Sequence, residues 1–290
     1  MDSGRPAAPP LAFPALLASN VLLAFGPLLV RLADTGPVAS GFWRLILATP
    51  MLFLLMRSRG QALRGLKPAL WGMIVLGGLF FAGDLAAWHL GIMRTKVANA
   101  TLFGNSTSLL LPLWGMLVLR HRPARLQVAA FILAAAGIAL LMGSSYELSP
   151  RYLQGDLLCL FAGLMYTGYI IVMQRSRGVL GSWAVLAVST AASTLPVLVF
   201  AMMLGENVIP QNWTPLLILA VSSQVLGQGL LIFALPWFSP LVVGLTLLSQ
   251  PVVGSLIGWL VFGETMNLTD GVGAVAIAIA LVLVRLPQRA

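Results

Sequence analysis

Ten long apolar segments follow one another along this chain and leave little room for anything else. Each has about 20 residues, the length at which an α-helix crosses the hydrocarbon core of a bilayer. Hydrophobic residues make up 59% of the chain and charged residues only 9%, whereas soluble domains carry about 25% charged residues. The sequence therefore predicts an all-α polytopic membrane protein with ten transmembrane helices. The predicted spans are residues 11–31, 37–57, 68–91, 97–119, 124–143, 153–174, 181–203, 213–235, 239–262 and 268–285.

The loop charges indicate how these spans are oriented. Twelve of the 17 basic residues gather in alternate loops on one side: Arg5, Arg57, Arg59, Arg64, Lys67, Arg120, Arg122, Arg125, Arg175, Arg177, Arg285 and Arg289. An excess of lysine and arginine marks the cytoplasmic side, so both termini are predicted to be cytoplasmic. The acidic loop residues fall on the external side: Asp34, Glu147, Glu206, Glu264 and Asp270. The net charge of +9 is thus an orientation signal, and nucleic acid is not a predicted partner.

The chain divides into two halves of five spans each. The predicted units are a first repeat at residues 1–143, an external linker at 144–152 and a second repeat at 153–290. An odd number of crossings makes the second half enter the membrane from the opposite side, which predicts two inverted five-helix repeats. Residues 95–142 align without a gap onto 238–285, an alignment that pairs Ser108 with Pro251 and His121 with Glu264. Inverted repeats are typical of transporters that work by alternating access.

Two charged residues lie clearly inside predicted spans. Arg44 in span 2 and Asp84 in span 3 both fall about 10 Å below the external surface, given the rise per residue of a helix. Opposite charges at one depth on neighbouring helices predict an ion pair, for which three roles stay open: a static structural pair, an external gate or a proton site. Trp88 lies one helical turn after Asp84, and His89 is a second candidate for sensing or relaying protons.

Uncharged polar side chains mark the middle of the membrane on several spans. They are Asn20, Asn105, Tyr166, Gln224, Gln228 and Gln250. Some can hydrogen-bond neighbouring helices, but as a set they also fit a cavity that holds the amine and carboxylate of a zwitterion. Tyr166 and Tyr169, with Trp43 and Trp88, would supply aromatic surface for an apolar substrate. We therefore predict that these residues, with Asp84 and His89, bind the substrate.

Glycine and proline within the spans predict hinges, because proline frees backbone carbonyls. The best candidates are Gly26 with Pro27, and Pro251 beside Gln250. No phosphate-binding loop of the Gly-x-x-x-x-Gly-Lys-Ser/Thr type is present, so ATP is not expected to drive the protein directly. The sequence contains neither a carboxylate cluster nor the cysteine and histidine spacing of a zinc site, so no metal is predicted. The single cysteine, Cys159, allows no intrachain disulfide. No cofactor is predicted.

Short motifs distributed along the chain resemble the EamA family of the drug/metabolite transporter superfamily. They are Phe42-Trp43-Arg44, residues 82–89 (AGDLAAWH), residues 97–101 (VANAT) and residues 263–269 (GETMNLT) after Pro251. The resemblance implies a ten-helix exporter in a bacterial inner (plasma) membrane. Within the family, the chain is most similar to exporters of amino acids, including aromatic ones.

These observations predict a secondary transporter that exports small metabolites, with amino acids as the favoured substrates, and that is not an enzyme. Its predicted partners are a small-molecule substrate, the lipid bilayer and, as one candidate for coupling, protons; it is expected to be a monomer or weak dimer. An exporter of drugs or other amphiphilic metabolites is the first alternative. A membrane enzyme acting on a lipid-linked substrate would need an acid/base pair, but Asp84 and His89 do not share a helix face. A pore is disfavoured by the lack of a charged ring.

Overall fold

The structure is a computed structural model that describes residues 8–63, 67–95, 100, 103–120, 123–143, 149–177, 179–262 and 267–283. Within these ranges the secondary structure is helical, without a β-strand. Some residues discussed above lie outside them: Arg5, Arg64, residues 97–99, Thr101, His121, Arg122, Glu147, residues 263–266, Arg285, Arg289 and most of the predicted linker.

The described α-helices lie at the positions of the predicted spans, but spans 1, 4, 8 and 9 are not continuous α-helices. They are α1 Ala12–Ala24, α2 Gly26–Leu32, α3 Pro37–Ser58, α4 Pro68–Ile92, α5 Thr107–Leu117, α6 Arg125–Gly143, α7 Leu153–Arg177, α8 Ser182–Met203, α9 Thr214–Leu219, α10 Gln228–Ala234, α11 Pro240–Leu247, α12 Ser249–Phe262 and α13 Leu268–Leu283. A π-helical stretch, Ala220–Gly227, joins α9 to α10, and a 3₁₀ turn, Leu235–Trp237, follows α10.

Seven helical segments of the described chain are long and apolar enough to cross a membrane: Ala12–Leu32, Pro37–Ser58, Pro68–Ile92, Leu153–Arg177, Ser182–Met203, Thr214–Trp237 and Pro240–Val261. Three further apolar helices of the described residues are shorter: Thr107–Leu117, Arg125–Leu140 and Leu268–Leu283. The protein is therefore a polytopic helical membrane protein, and the prediction of ten spans stays a prediction.

Several predicted spans are interrupted helices. Span 1 breaks at Phe25, after which Pro27 lies in the first turn of α2, where a missing N–H costs no hydrogen bond. Span 9 breaks at Leu248, and Pro251 lies in the first turn of α12. The helix ends coincide with the predicted hinges, whose motion stays a prediction.

The chain forms two compact units that combine distant segments. The first comprises Met1–Ala86 and Gly168–Ser239, and the second comprises Ala87–Thr167 and Pro240–Ala290. In the first unit α3 packs along α8 and α1 packs against α10; in the second α6 packs along α13 and α5 against α11. Each unit thus draws helices from both predicted halves of the sequence, and the division into repeats at 1–143 and 153–290 stays a prediction.

Small residues allow helices to approach closely within each unit. In the first, a Cβ built on Gly78 would lie 2.6 Å from the carbonyl oxygen of Ser189, and the Ser193 hydroxyl donates a hydrogen bond to the Gly78 carbonyl. In the second, a Cβ on Gly137 would lie 2.8 Å from the carbonyl oxygen of Gly273. These positions require glycine because the neighbour is backbone and cannot rotate away, and the close approach increases the packing contacts between helices.

Candidate functional site

A chain of buried polar side chains crosses three helical segments of the first unit. The Nε of Arg44 on α3 donates to the Oε1 of Gln224, at 2.9 Å. The Nε2 of Gln224 in turn donates to the Oγ1 of Thr190 on α8, at 2.8 Å. Gln224 and Thr190 are fully buried, and Arg44 is 8% exposed. Because the amide of Gln224 is held at both ends, its orientation is determined, and with it the position of the Arg44 side chain.

The backbone around Gln224 is unusual. This residue lies in the π-helical stretch Ala220–Gly227, within an otherwise α-helical predicted span. A π-helix is rare, and where it occurs it frequently marks a functional site. The π-helical stretch thus singles out the residue that receives the hydrogen bond from Arg44.

Asp84 completes the charged part of the site. The charge of Arg44 acts on Asp84, and an ion pair between them stays a prediction. Asp84 is half-buried, whereas Arg44 is buried. Asp84 therefore keeps a larger exposed fraction than Arg44.

Two stacked aromatic rings support the Arg44 side chain. The guanidinium carbon lies 5.6 Å from the centroid of the Phe81 ring, a cation–π arrangement. The Phe81 ring stacks on Tyr169 with a centroid distance of 4.7 Å and an interplanar angle of 24°. Tyr169, a predicted substrate residue, is fully buried in this stack. Its ring therefore lies beneath Arg44 as a supporting layer.

The side chain of Trp43 makes contacts different from those of its neighbour Arg44. Its indole Nε1 donates to the carbonyl oxygen of Val208, at 2.5 Å. Its ring contacts Trp213 edge-on, with centroids 4.7 Å apart. Trp43 thus anchors the N-terminal part of α3 to the loop after α8, away from the Arg44–Gln224 contact.

The predicted residues of the second unit lie around α4, α7 and the residues before α5. The rings of Trp88 and His89 lie 5.5 Å apart, and His89 is buried. A Cβ built on Gly104 would lie 2.6 Å from the indole nitrogen of Trp88. Asn105 and Tyr166 are half-buried, which places them with Trp88 among the polar side chains that keep some accessible surface.

The other predicted residues are distributed over different helices. Asn20 is buried on α1, where its Nδ2 donates to the Leu16 carbonyl of the same helix at 3.0 Å. Gln228 is buried at the start of α10, and Gln250 is half-buried beside Pro251 at the start of α12. In the described part of the chain, no three acidic, histidine or cysteine side chains come together as a metal site would require.

Thr190 and Phe81 were not predicted from the sequence. Thr190 is one hydroxyl among several in α8, and nothing local distinguishes it from the others. Phe81 had a weak signal, since it lies three residues before Asp84 and so on the same helix face. Both were identified only by their contacts with residues far away in the chain: Thr190 with Gln224, and Phe81 with Arg44.

Replacing Thr190 with valine is expected to lower the free energy of unfolding by about 1–3 kcal/mol, because the buried Nε2 of Gln224 loses its acceptor. Thr190→Ser keeps the hydroxyl and is expected to restore most of this stability. Thr194→Val is a matched control one turn away, where the hydroxyl bonds to the Thr190 carbonyl of its own helix at 2.9 Å. Thermal unfolding in detergent measures all three variants, and equal stability of the two valine variants would contradict the expected role.

The chain is similar to known proteins along most of its length. The sequence profile of the EamA-like transporter family matches residues 11–143 and again residues 153–286. An uncharacterized transporter of Archaeoglobus fulgidus is 23% identical over 273 residues, which cover 90% of this chain and 92% of that protein. A crystal structure of a further protein superposes with a TM-score of 0.80 at 16% sequence identity, over 97% of this chain and 99% of the other. This superposition shows that the two proteins share a fold.

Proposed function

The protein belongs to the EamA-like transporter family, and on that premise we propose that it exports amino acids, including aromatic ones, by alternating access. It is a membrane transporter, and its substrate is a small molecule. The proposal places it in a bacterial inner membrane with both termini in the cytoplasm, in agreement with the distribution of basic residues.

The observation that carries the substrate proposal is the half-buried Asp84 beside the buried Arg44. A charge inside a membrane protein is costly unless it is paired or used. Here the cation is fixed by Gln224 and Phe81, which leaves Asp84 as the group that we propose meets the amine of an amino acid or a proton. The half-buried Trp88 and Tyr166 keep some accessible aromatic surface for an apolar or aromatic substrate.

Two observations support an architecture of inverted repeats. The family profile matches each predicted half separately, at residues 11–143 and 153–286. Three helix pairs also relate the two halves, because α3 with α8, α5 with α11 and α6 with α13 each join a helix of the first half to the corresponding helix of the second. Two related halves of opposite orientation are the arrangement from which alternating access arises.

Uptake into proteoliposomes tests this function directly. We expect labelled Phe, Trp, Thr and Met to enter in a saturable manner, faster when unlabelled substrate is present inside. If Asp84 carries the proton, Asp84→Asn is expected to keep exchange and to lose the dependence of net uptake on external pH; if Asp84 binds the substrate amine, exchange itself is expected to fall. Glu147→Gln is the matched control, since Glu147 lies in the predicted linker, outside the predicted spans.

The outcomes separate the candidate functions. Uptake no greater than in empty liposomes, from protein shown to be folded, would contradict the amino-acid proposal and favour drugs or other amphiphilic metabolites as substrates. Uptake that does not saturate would contradict a carrier. An Asp84→Asn variant that retains its pH dependence would exclude Asp84 as the proton site.

A further inference from the structure

Helices α3 and α8 end in the same way. After α3, Gly60 has a φ of 65°, and after α8, Gly205 has a φ of 67°. In both turns the glycine N–H bonds to the carbonyl three residues earlier, and the next N–H bonds to the carbonyl five residues before it, as in a helix C-cap that needs a left-handed residue. Each glycine thereby turns the chain so that the following residue, Gln61 or Glu206, leaves the helix axis.

These two residues cap each other's helix. The Glu206 carboxylate accepts the backbone N–H groups of Val38 and Ala39 in the first turn of α3, at 3.3 and 2.8 Å. The Gln61 Oε1 accepts the backbone N–H of Ala184 in the first turn of α8, at 3.0 Å. A helix N-terminus has unpaired N–H groups and a partial positive charge, so a carboxylate or amide oxygen stabilises it.

A glycine makes room for each cap. A Cβ on Gly36 would collide with the Glu206 side chain, and a Cβ on Gly181 would collide with the Gln61 side chain. The corresponding residues of the two caps are separated by one constant offset in the sequence: Gly36 and Gly181, Ala39 and Ala184, Gly60 and Gly205, and Gln61 and Glu206. Both helices have 22 residues. The two helices are therefore antiparallel neighbours with matching caps at opposite ends.

The cap at Glu206 is part of a larger set of contacts. The Gly36 N–H bonds to the Asn207 carbonyl at 2.9 Å, and the Asp34 carboxylate accepts the N–H groups of Gln211 and Asn212 at 2.8 and 3.0 Å. Trp43 adds its bond to Val208. The loop before α3 and the loop after α8 are thus joined by both side-chain and backbone hydrogen bonds.

We propose that Gln61 and Glu206 are positioning residues that keep α3 and α8 joined at both ends throughout the transport cycle. Since α3 carries Arg44 and α8 carries Thr190, the joined pair holds the two ends of the Arg44–Gln224–Thr190 chain in register. The pair then moves as one body, in the manner of a rigid-body transition. This inference rests on the proposed transport function.

Disulfide cross-linking tests whether the ends of helices α3 and α8 separate during transport. In a Cys159→Ala background, Asp34→Cys with Gln211→Cys joins the two loops beside one cap by a covalent bond, and Gly181→Cys with Gln61→Cys replaces the other cap. We expect each oxidised protein to transport at no less than about half the rate of its reduced form, as a rigid pair requires. Single-cysteine variants under the same oxidation are the controls. A loss of more than about tenfold that reductant reverses would overturn the proposal, because the ends would have to part during the cycle.

Hydrogen–deuterium exchange provides a measurement that needs no substrate. In Glu206→Ala, the amides of Val38 and Ala39 are expected to exchange about fivefold faster, while that of Ala184 is unchanged, and Gln61→Ala should show the reverse. Glu206→Gln retains an acceptor and should behave like the wild type. Unchanged exchange in both alanine variants would overturn the caps themselves. Failure of the wild type to transport amino acids would instead contradict the proposed substrate and leave the exchange result to decide on the caps.

Discussion

Replacing Arg44 with methionine is expected to abolish measurable transport and to lower the free energy of unfolding by about 3–5 kcal/mol. The substitution keeps a long side chain but removes the cation from a buried position. Gln224 then loses the donor at 2.9 Å from its Oε1, and the Asp84 carboxylate loses the positive charge that acts on it. A carboxylate left without compensation inside a membrane protein is strongly unfavourable.

Arg57→Met is the matched control for this experiment, because Arg57 lies in the same helix but is exposed. Counterflow into proteoliposomes and thermal unfolding in detergent measure both variants. Adding Asp84→Asn to Arg44→Met should restore part of the lost stability, since contacting residues are not independent. If Arg44→Met were as stable and as active as Arg57→Met, the predicted pair of Arg44 and Asp84 would have neither a structural nor a transport role.

Replacing Tyr169 with alanine is expected to be the second most severe change. Tyr169 is fully buried and stacks on Phe81, which in turn lies beneath Arg44. Removing a buried aromatic ring leaves a cavity and lowers the free energy of unfolding by about 3–5 kcal/mol. Transport should fall as well, because Phe81 loses the ring that supports it and can no longer hold the guanidinium in place.

Tyr169→Phe distinguishes the two roles assigned to this residue. As a supporting ring, Tyr169 is replaceable by phenylalanine with little change in stability or in the KM of transport. A substrate contact through the hydroxyl predicts instead a raised KM with unchanged stability. The alanine and phenylalanine variants, measured together by thermal unfolding and by the concentration dependence of uptake, decide between a ring that supports the site and one that binds substrate.

Helix positions could be predicted from the sequence with good accuracy. The predicted spans 37–57, 68–91 and 181–203 agree with Pro37–Ser58, Pro68–Ile92 and Ser182–Met203 to within one residue at each end. The reason is local, because a bilayer of defined thickness requires apolar segments of defined length, bounded by polar or helix-ending residues. The same argument identified Arg44 and Asp84, since charged residues inside such segments are rare and conspicuous.

The partners of these residues could not be predicted. Gln224 was recognised as a polar residue of the membrane interior, but its bonds to Arg44 and Thr190 join three segments that are far apart in the chain. Hydrophobic periodicity does not show which face of a membrane helix meets another helix, because the lipid-facing side is apolar as well. The π-helical stretch around Gln224 and the stack beneath Arg44 likewise had no signature in the sequence.

The sequence alone therefore determined that this protein is a helical membrane protein and where its longest spans lie, because segment length and charge are properties of single stretches of chain. The tertiary structure alone decided which helices meet. It placed Gln224 between Arg44 and Thr190, directed Trp43 toward Val208, and brought Gln61 and Glu206 to the first turns of each other's helices. Such contacts depend on the packing of the whole chain, since each hydrogen bond requires a geometry that only the neighbouring helix provides.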